Sequence, residues 1–282
     1  MVSEDTILKK RKVIQRLREA GRVLVALSGG VDSAVLLSLA AEALGPERVL
    51  AVTGASPSVS ADEMDDARQV AGQIGVRHEV VPTFELDDDS YRANRGDRCY
   101  HCRDELFHVL ERLAAERGFD AVAYGAIADD TGDHRPGMRA AEDRQVLAPL
   151  LDAGIDKEDV RALARAAGLV VREKPAAACL ASRIPVGTEV TAERLSQVGR
   201  AEAGLRELGF RQLRVRHHDE VARLELDAEG MKMLEDPELR VEAVRRVREA
   251  GFRFVALDLE GYRTGSLNPE LHRIGPAREG GQ

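Results

Sequence analysis

An apolar run, Arg22–Leu27 (RVLVAL), breaks off at Ser28-Gly29-Gly30, and apolar residues resume at helical spacing from Ala34 to Leu44. That reads as strand, glycine turn, helix. The alternation then repeats. Val49–Val52 predicts a second strand and Ala61–Ile74 a helix, while Val76–Val81 predicts a third strand. Cys99–Arg117 predicts a helix and Asp120–Tyr124 a fourth strand, with a further helix near Lys157–Ala167. A first helix is expected near Glu4–Ala20, and the polar stretches Glu85–Asp97 and Asp129–Asp143 read as loops. Strands alternating with helices predict an α/β fold, a Rossmann-like parallel sheet with helices on both faces. Ligands of such sheets bind beyond the carboxyl ends of the strands. Ser28–Ser33, the loop after Val52 and Gly125 onward all fall at such ends.

The pattern changes after Pro175. Thr191–Leu208 predicts a helix with Thr191 as N-cap and Gly209 at its stop. Gln212–Arg216 and Val221–Leu226 predict two strands, Ala228–Ala250 a helical stretch interrupted at Pro237, and Phe252–Leu259 a last strand. The expected organisation is a domain over 1–175, a smaller α+β domain over 176–268 and a disordered tail over 269–282. The chain has 282 residues, 44% hydrophobic and 32% charged, and no tryptophan, so aliphatic side chains must fill its core. A net charge of −8 argues against a nucleic-acid partner, which needs a basic surface. No apolar run approaches the roughly 20 residues of a membrane helix. The charged start MVSEDTILKKRKVIQRL lacks the apolar centre of a signal peptide, so a cytoplasmic location is expected, with no membrane partner.

The string Ser28-Gly29-Gly30-Val31-Asp32-Ser33 carries the chemistry. Glycines let backbone amides approach an anion, and the start of the next helix adds partial positive charge. Ser28 and Ser33 supply hydroxyls, and Asp32 suits a bridging Mg2+. The competing reading is a glycine turn with Asp32 or Ser33 as a helix cap. The dinucleotide pattern G-x-G-x-x-G is absent, as is the lysine of a Walker A loop. The string resembles the signature of the PP-loop ATP pyrophosphatases, enzymes that adenylate a substrate and release pyrophosphate. The resemblance implies that Ser28, Gly29, Gly30, Asp32 and Ser33 hold the departing pyrophosphate of ATP and its Mg2+. It places Ser56 near the adenylate and lets the nucleotide lie against Gly125.

Three cysteines stand at 99, 102 and 179. Cys99 and Cys102 open a predicted helix in a C-x-x-C spacing that brings two thiols within reach of one metal. Cys179 follows the predicted domain boundary. The set is open to three readings: a four-iron cluster with one open iron, a Cys3His zinc site completed by His101, His108 or His134, and inert thiols. In the second half, Arg214 and Arg216 are two apart on a predicted strand and so share a face, as an anion clamp would. Arg183 and Arg263 sit at polar turns, Glu202 on the preceding helix and Glu225 on the partner strand. A solvated strand face and ordinary surface carboxylates are the competing reading. His217-His218 reads as a hairpin feature.

Taken together, SGGVDS, DDTGDHRPG (129–137), ACLASRIPVGT (178–188), LRVRHHDEVARLEL and DLEGYRTGSLN resemble the LarE family, over nearly the whole chain to about Asn268. That family comprises ATP-dependent sulfur transferases of nickel-pincer nucleotide cofactor synthesis, acting on a pyridinium-3,5-dicarboxylate mononucleotide. Its members draw sulfur either from a sacrificed cysteine or from a [4Fe-4S] cluster on three cysteines. The resemblance implies that Cys99, Cys102 and Cys179 are cluster ligands and that Cys179 takes part in sulfur transfer. It also implies that Arg214 and Arg216 clamp the substrate phosphate, with Glu202 as an active-site acid. Arg183, Glu225 and Arg263 fall in the same set. It implies a homo-oligomer as well, a hexamer if the family's assembly carries over. The alternatives are another PP-loop adenylating enzyme, such as a tRNA thiolation enzyme or an ammonia-using synthetase, and a non-enzymatic nucleotide or iron–sulfur sensor.

Overall fold

The computed structural model describes residues 2–132, 136–174 and 178–263. The expected disordered tail and His134 lie outside them. The chain divides into two compact units between Ala178 and Cys179.

The first unit opens with α1 (Glu4–Ala20), capped by the Ser3 hydroxyl, which accepts from the Thr6 amide. It continues through β1 (Val23–Ala26), α2 (Val31–Leu44), β2 (Val49–Ala55), α3 (Ala61–Ile74) and β3 (Arg77–Pro82). Helices α4 (Asp89–Ala93) and α5 (Arg98–Arg117) precede β4 (Ala121–Ala123). Helices α6 (Pro136–Asp143), α7 (Pro149–Asp152) and α8 (Lys157–Ala166) complete it. The four strands are parallel in the order β3-β2-β1-β4. Both faces of the sheet are covered, so its central strands are continuously apolar rather than alternating. Val23, Val25, Val49 and Ala51 pack with α1, α2 and α8. Leu24, Leu50, Val52 and Val122 face the other way, with Phe107 and Leu110 of α5 and Ala140 and Ala141 of α6.

Two polar stretches expected as loops are structured. In 85–97, a 3-10 turn at Glu85–Asp87 leads into α4, and Glu85, Tyr91 and Asn94 are buried. In 129–143, α6 forms around buried Gly137, Ala140 and Ala141. Residues this small stabilise a helix only through a close neighbour, so they leave little periodic signal in the sequence.

The second unit holds α9 (Ala192–Glu207), β5 (Leu213–His218), β6 (Val221–Leu226), α10 (Ala228–Met233), α11 (Pro237–Glu249) and β7 (Phe254–Leu257). Thr191 caps α9 as its sequence predicts, its hydroxyl accepting from the Arg194 amide. β5 and β6 form an antiparallel hairpin, and β7 joins β6 in parallel. Leu195, Val198 and Leu205 of α9 are buried, as are Leu213, Val215 and Leu224 of the strands and Val247 of α11.

Candidate active site

In the first unit, β1 runs into Leu27, whose amide donates to the Val52 carbonyl. The chain then leaves the sheet at Ser28-Gly29-Gly30. Gly29 adopts φ 73°, a left-handed conformation that glycine takes without strain, and a side chain there would strike the Glu63 carbonyl of α3. The turn is tied internally. The Ser28 amide donates to the Ser33 hydroxyl at 3.2 Å, the two hydroxyls lie 3.0 Å apart, and the Gly30 amide donates to the Ser28 hydroxyl at 3.3 Å. Helix α2 starts at Gly30 with no side-chain cap, so its first-turn amides are left for an outside acceptor. Gly125, just past β4, lies against this start: a Cβ there would fall 2.8 Å from the Ser33 amide nitrogen.

Two lysines from later in the chain complete the surround. Lys157 Nζ donates to both Asp32 oxygens, at 2.8 and 2.9 Å. Lys174 Nζ donates to the Gly29 carbonyl at 3.1 Å and pairs with Asp66. Sequence reasoning missed both. One signal was available for Lys157. It is the first residue of α8, where the helix dipole disfavours a cation, so an anion nearby was to be expected. Ser56 lies beyond β2, and its hydroxyl and that of Ser58 both donate to Glu85 Oε1, the latter at 2.7 Å. Glu85 is buried, and no pattern in its polar stretch marked it.

Cys99 is exposed and Cys102 half-buried in the opening turns of α5, whose first turn carries no acidic residue. His101 is engaged by carboxylates instead: Nδ1 lies 3.0 Å from Asp88 and Nε2 3.5 Å from Asp97. His108 is exposed. Among the described residues, no group of three or more His, Cys, Asp or Glu side chains is gathered as a metal requires.

In the second unit, Cys179 precedes a 3-10 turn, Leu180–Arg183. Arg183 is buried, and its Nε and Nη2 donate to the two oxygens of Glu202 at 2.8 and 3.0 Å. Glu202, with no exposed surface, also accepts from Arg206 Nη2 at 3.0 Å and from the Val215 amide at 3.1 Å. Burial alone would raise its pKa, but the Arg183 and Arg206 guanidiniums and the Val215 amide outweigh that and hold it below the ordinary carboxylate value. Glu202 is thus an ionised carboxylate already surrounded by donors.

Arg214 and Arg216 do share a face of β5, but differ in engagement. Arg216 is buried, with Nη2 on Glu225 at 2.8 Å and Nη1 on the Ser182 carbonyl at 2.9 Å. Arg214 is half-buried and lies over the Tyr262 ring at 5.1 Å. Its burial and the neighbouring arginines lower its pKa, the mark of a cation short of negative charge. Glu225 also takes Arg223 at 3.1 Å, and Arg263 pairs with Glu260 at 2.6 Å. His217 is buried, with Nε2 3.2 Å from the Gln197 side-chain oxygen and its ring against Phe252.

The NAD synthase family model matches residues 5–103. An uncharacterised protein of Synechocystis is 42% identical over 93% of this chain and 98% of its own length. Pyridinium-3,5-bisthiocarboxylic acid mononucleotide synthase of Lactiplantibacillus plantarum is 36% identical over 93% of this chain and 95% of its own. The tRNA-specific 2-thiouridylase of Streptomyces avermitilis is 34% identical, over 55% of this chain and 51% of its own.

Proposed function

The chain belongs to the LarE family within the PP-loop superfamily, and we propose that it is an ATP-dependent sulfur transferase converting a pyridinium-3,5-dicarboxylate mononucleotide to its thiocarboxylate. The observation that carries this reading is the start of α2, uncapped by any side chain, flanked by Gly125 and faced by Lys157. Such a cradle offers amides and cationic charge to an outgoing polyphosphate.

In this reading the ATP phosphates lie on Ser28, Gly29, Gly30 and Ser33, and the base side lies near Ser56. The substrate carboxylate attacks the α-phosphorus and pyrophosphate leaves. The acyl adenylate then loses AMP to an attacking sulfur, and a thiocarboxylate remains. Mg2+ would be held at Asp32, whose carboxylate already faces a cation in Lys157, and would offset charge on the pyrophosphate. A [4Fe-4S] cluster would be held by Cys99, Cys102 and Cys179. One exposed and one half-buried thiol, one turn apart at a helix start, have the spacing of two corners of such a cluster, which when bound would supply an open iron for sulfide. Arg214 would take the substrate phosphate, with Arg216, Glu225 and Arg263 in its surroundings; its burial without a carboxylate partner among the described residues, which lowers its pKa, supports this. Holding the phosphate fixes the orientation of the carboxylate and so contributes to rate. We also propose the two units as the nucleotide and substrate domains, with the protein acting in the cytoplasm as a homo-oligomer.

The test supplies the full chain, kept free of oxygen and reconstituted with iron and sulfide, with ATP, Mg2+ and the pyridinium mononucleotide, and measures pyrophosphate and product mass. Pyrophosphate release with exchange of oxygen for sulfur is expected, and Asp32→Ala should abolish both. Pyrophosphate release with a tRNA substrate instead would favour the thiouridylase-like reading. ATP bound but never cleaved with either would favour a sensor.

A further inference from the structure

Arg183 and Glu202 invite assignment to the substrate, yet their contacts lead to Cys179. Arg183 places its Nε and Nη2 on Glu202, and its remaining nitrogen, Nη1, donates to the Cys179 carbonyl at 3.0 Å and the Ser182 hydroxyl at 2.9 Å. The Cys179 carbonyl also accepts from the Ser182 amide at 2.9 Å, and Arg216 holds the Ser182 carbonyl at 2.9 Å. Two buried guanidiniums therefore grip the backbone of one short turn, and Glu202 anchors the first of them to β5 through the Val215 amide. A buried ion pair is a poor source of stability, because desolvation offsets most of its attraction. A planar fork with both partners fixed is a good source of geometry. Cys179 itself belongs to no helix or strand, so nothing in regular secondary structure sets the direction of its side chain.

We propose that Arg183 is the positioning residue of Cys179, holding its backbone through the bidentate pair with Glu202 so that the thiol keeps the place its part in sulfur transfer requires. This deepens the sulfur-transfer reading and rests on Cys179 taking part in it. Lysine retains the charge but lacks the fork, so Arg183→Lys separates position from charge.

The alkylation test uses the full chain, purified reduced and free of iron, and the kinetic test uses the same chain reconstituted with iron and sulfide. In Arg183→Lys, alkylation of Cys179 by iodoacetamide, followed by peptide mass, should speed up several-fold as the turn loosens, while Cys99 and Cys102 keep their rates. For thiocarboxylate formation by the reconstituted chain with sulfide supplied, kcat should fall roughly a hundredfold with KM for the pyridinium nucleotide within about threefold, since a displaced sulfur source costs rate rather than binding. The first-turnover burst of substrate-dependent pyrophosphate should stay near wild type, because adenylation precedes the slowed step. Ser182→Ala removes one partner of Nη1 and leaves the buried pair intact, and should give a smaller change of the same kind. It carries the test if Arg183→Lys fails to fold. An unchanged alkylation rate in the folded variant, or a raised KM with unchanged kcat, would overturn the assignment. Should the wild type release no pyrophosphate and make no product, the functional reading fails, and the alkylation rates still judge the clamp.

Discussion

A lysine at the first position of a helix works against the helix dipole, and Lys157 is held there by Asp32 across 125 positions of sequence. Removing it leaves Asp32 without its cation and the outgoing phosphates with less positive charge around them. Lys157→Met should raise KM for ATP by about tenfold or more, with the far-ultraviolet circular dichroism unchanged. Steady-state kinetics at saturating second substrate reads it directly. Asp32 was legible from its place in the glycine string. Lys157 carried only the signal of a cation at a helix start, which calls for an anion nearby but does not say that the anion is Asp32. His217 offers a second residue-scale test. Burial is the main cause lowering its pKa, with the Arg194 charge adding to it. The folded chain therefore binds fewer protons there than the unfolded chain. The stability it contributes is complete above the unfolded value of about 6.5 and is lost as pH falls below that through the lower folded value. Denaturant midpoints between pH 8 and pH 5 should fall less steeply in His217→Gln than in the wild type.

Among elements, the junction of β4 with α2 is the most exacting. A methyl at position 125 would meet the Ser33 amide nitrogen at 2.8 Å and the Ser33 Cα at 2.9 Å, atoms that cannot rotate aside. Gly125→Ala should push the start of α2 away from the strand end, costing about 1–3 kcal/mol of stability and weakening ATP binding more than that loss alone explains. Calorimetric titration beside thermal melts would show both. Elements of this kind were largely readable. The apolar runs at 22–27 and 49–52 and the helix at 61–74 stand near where the sequence puts them, because long periodic patterns survive tertiary context. The misses share a cause. Helix α6 buries only glycine and alanine, and the 85–97 stretch hides Glu85, Tyr91 and Asn94 among exposed acids. Their burial follows from neighbours brought close by the fold, which local composition does not encode. The same limit applies to the arginines. Two on one strand face was legible, but not that Arg216 serves Ser182 and Glu225 while Arg214 lies over Tyr262.

On the scale of the molecule, division between Ala178 and Cys179 separates the glycine cradle from the buried arginine network. Ligands of the two sites should then stabilise different parts of the chain. At a hundredfold excess over its dissociation constant, a nucleotide adds about 2.7 kcal/mol to the unit that binds it. Hydrogen exchange with a non-hydrolysable ATP analogue should slow at 24–36 and 121–127 and leave 192–226 near its free rates. Equal slowing in both stretches would mean that the units unfold as one.

The reach of Lys157 back to Asp32 also bears on synthesis. Half of the cradle is made early, within the 5–103 stretch that the NAD synthase model matches, but Gly125 and Lys157 come later. A nascent chain leaving the ribosome carries the glycine string long before it carries the groups that close around it. Nucleotide capture is therefore deferred until α8 has emerged, bringing Lys157 to the string and Val160 and Leu163 to the core beneath it.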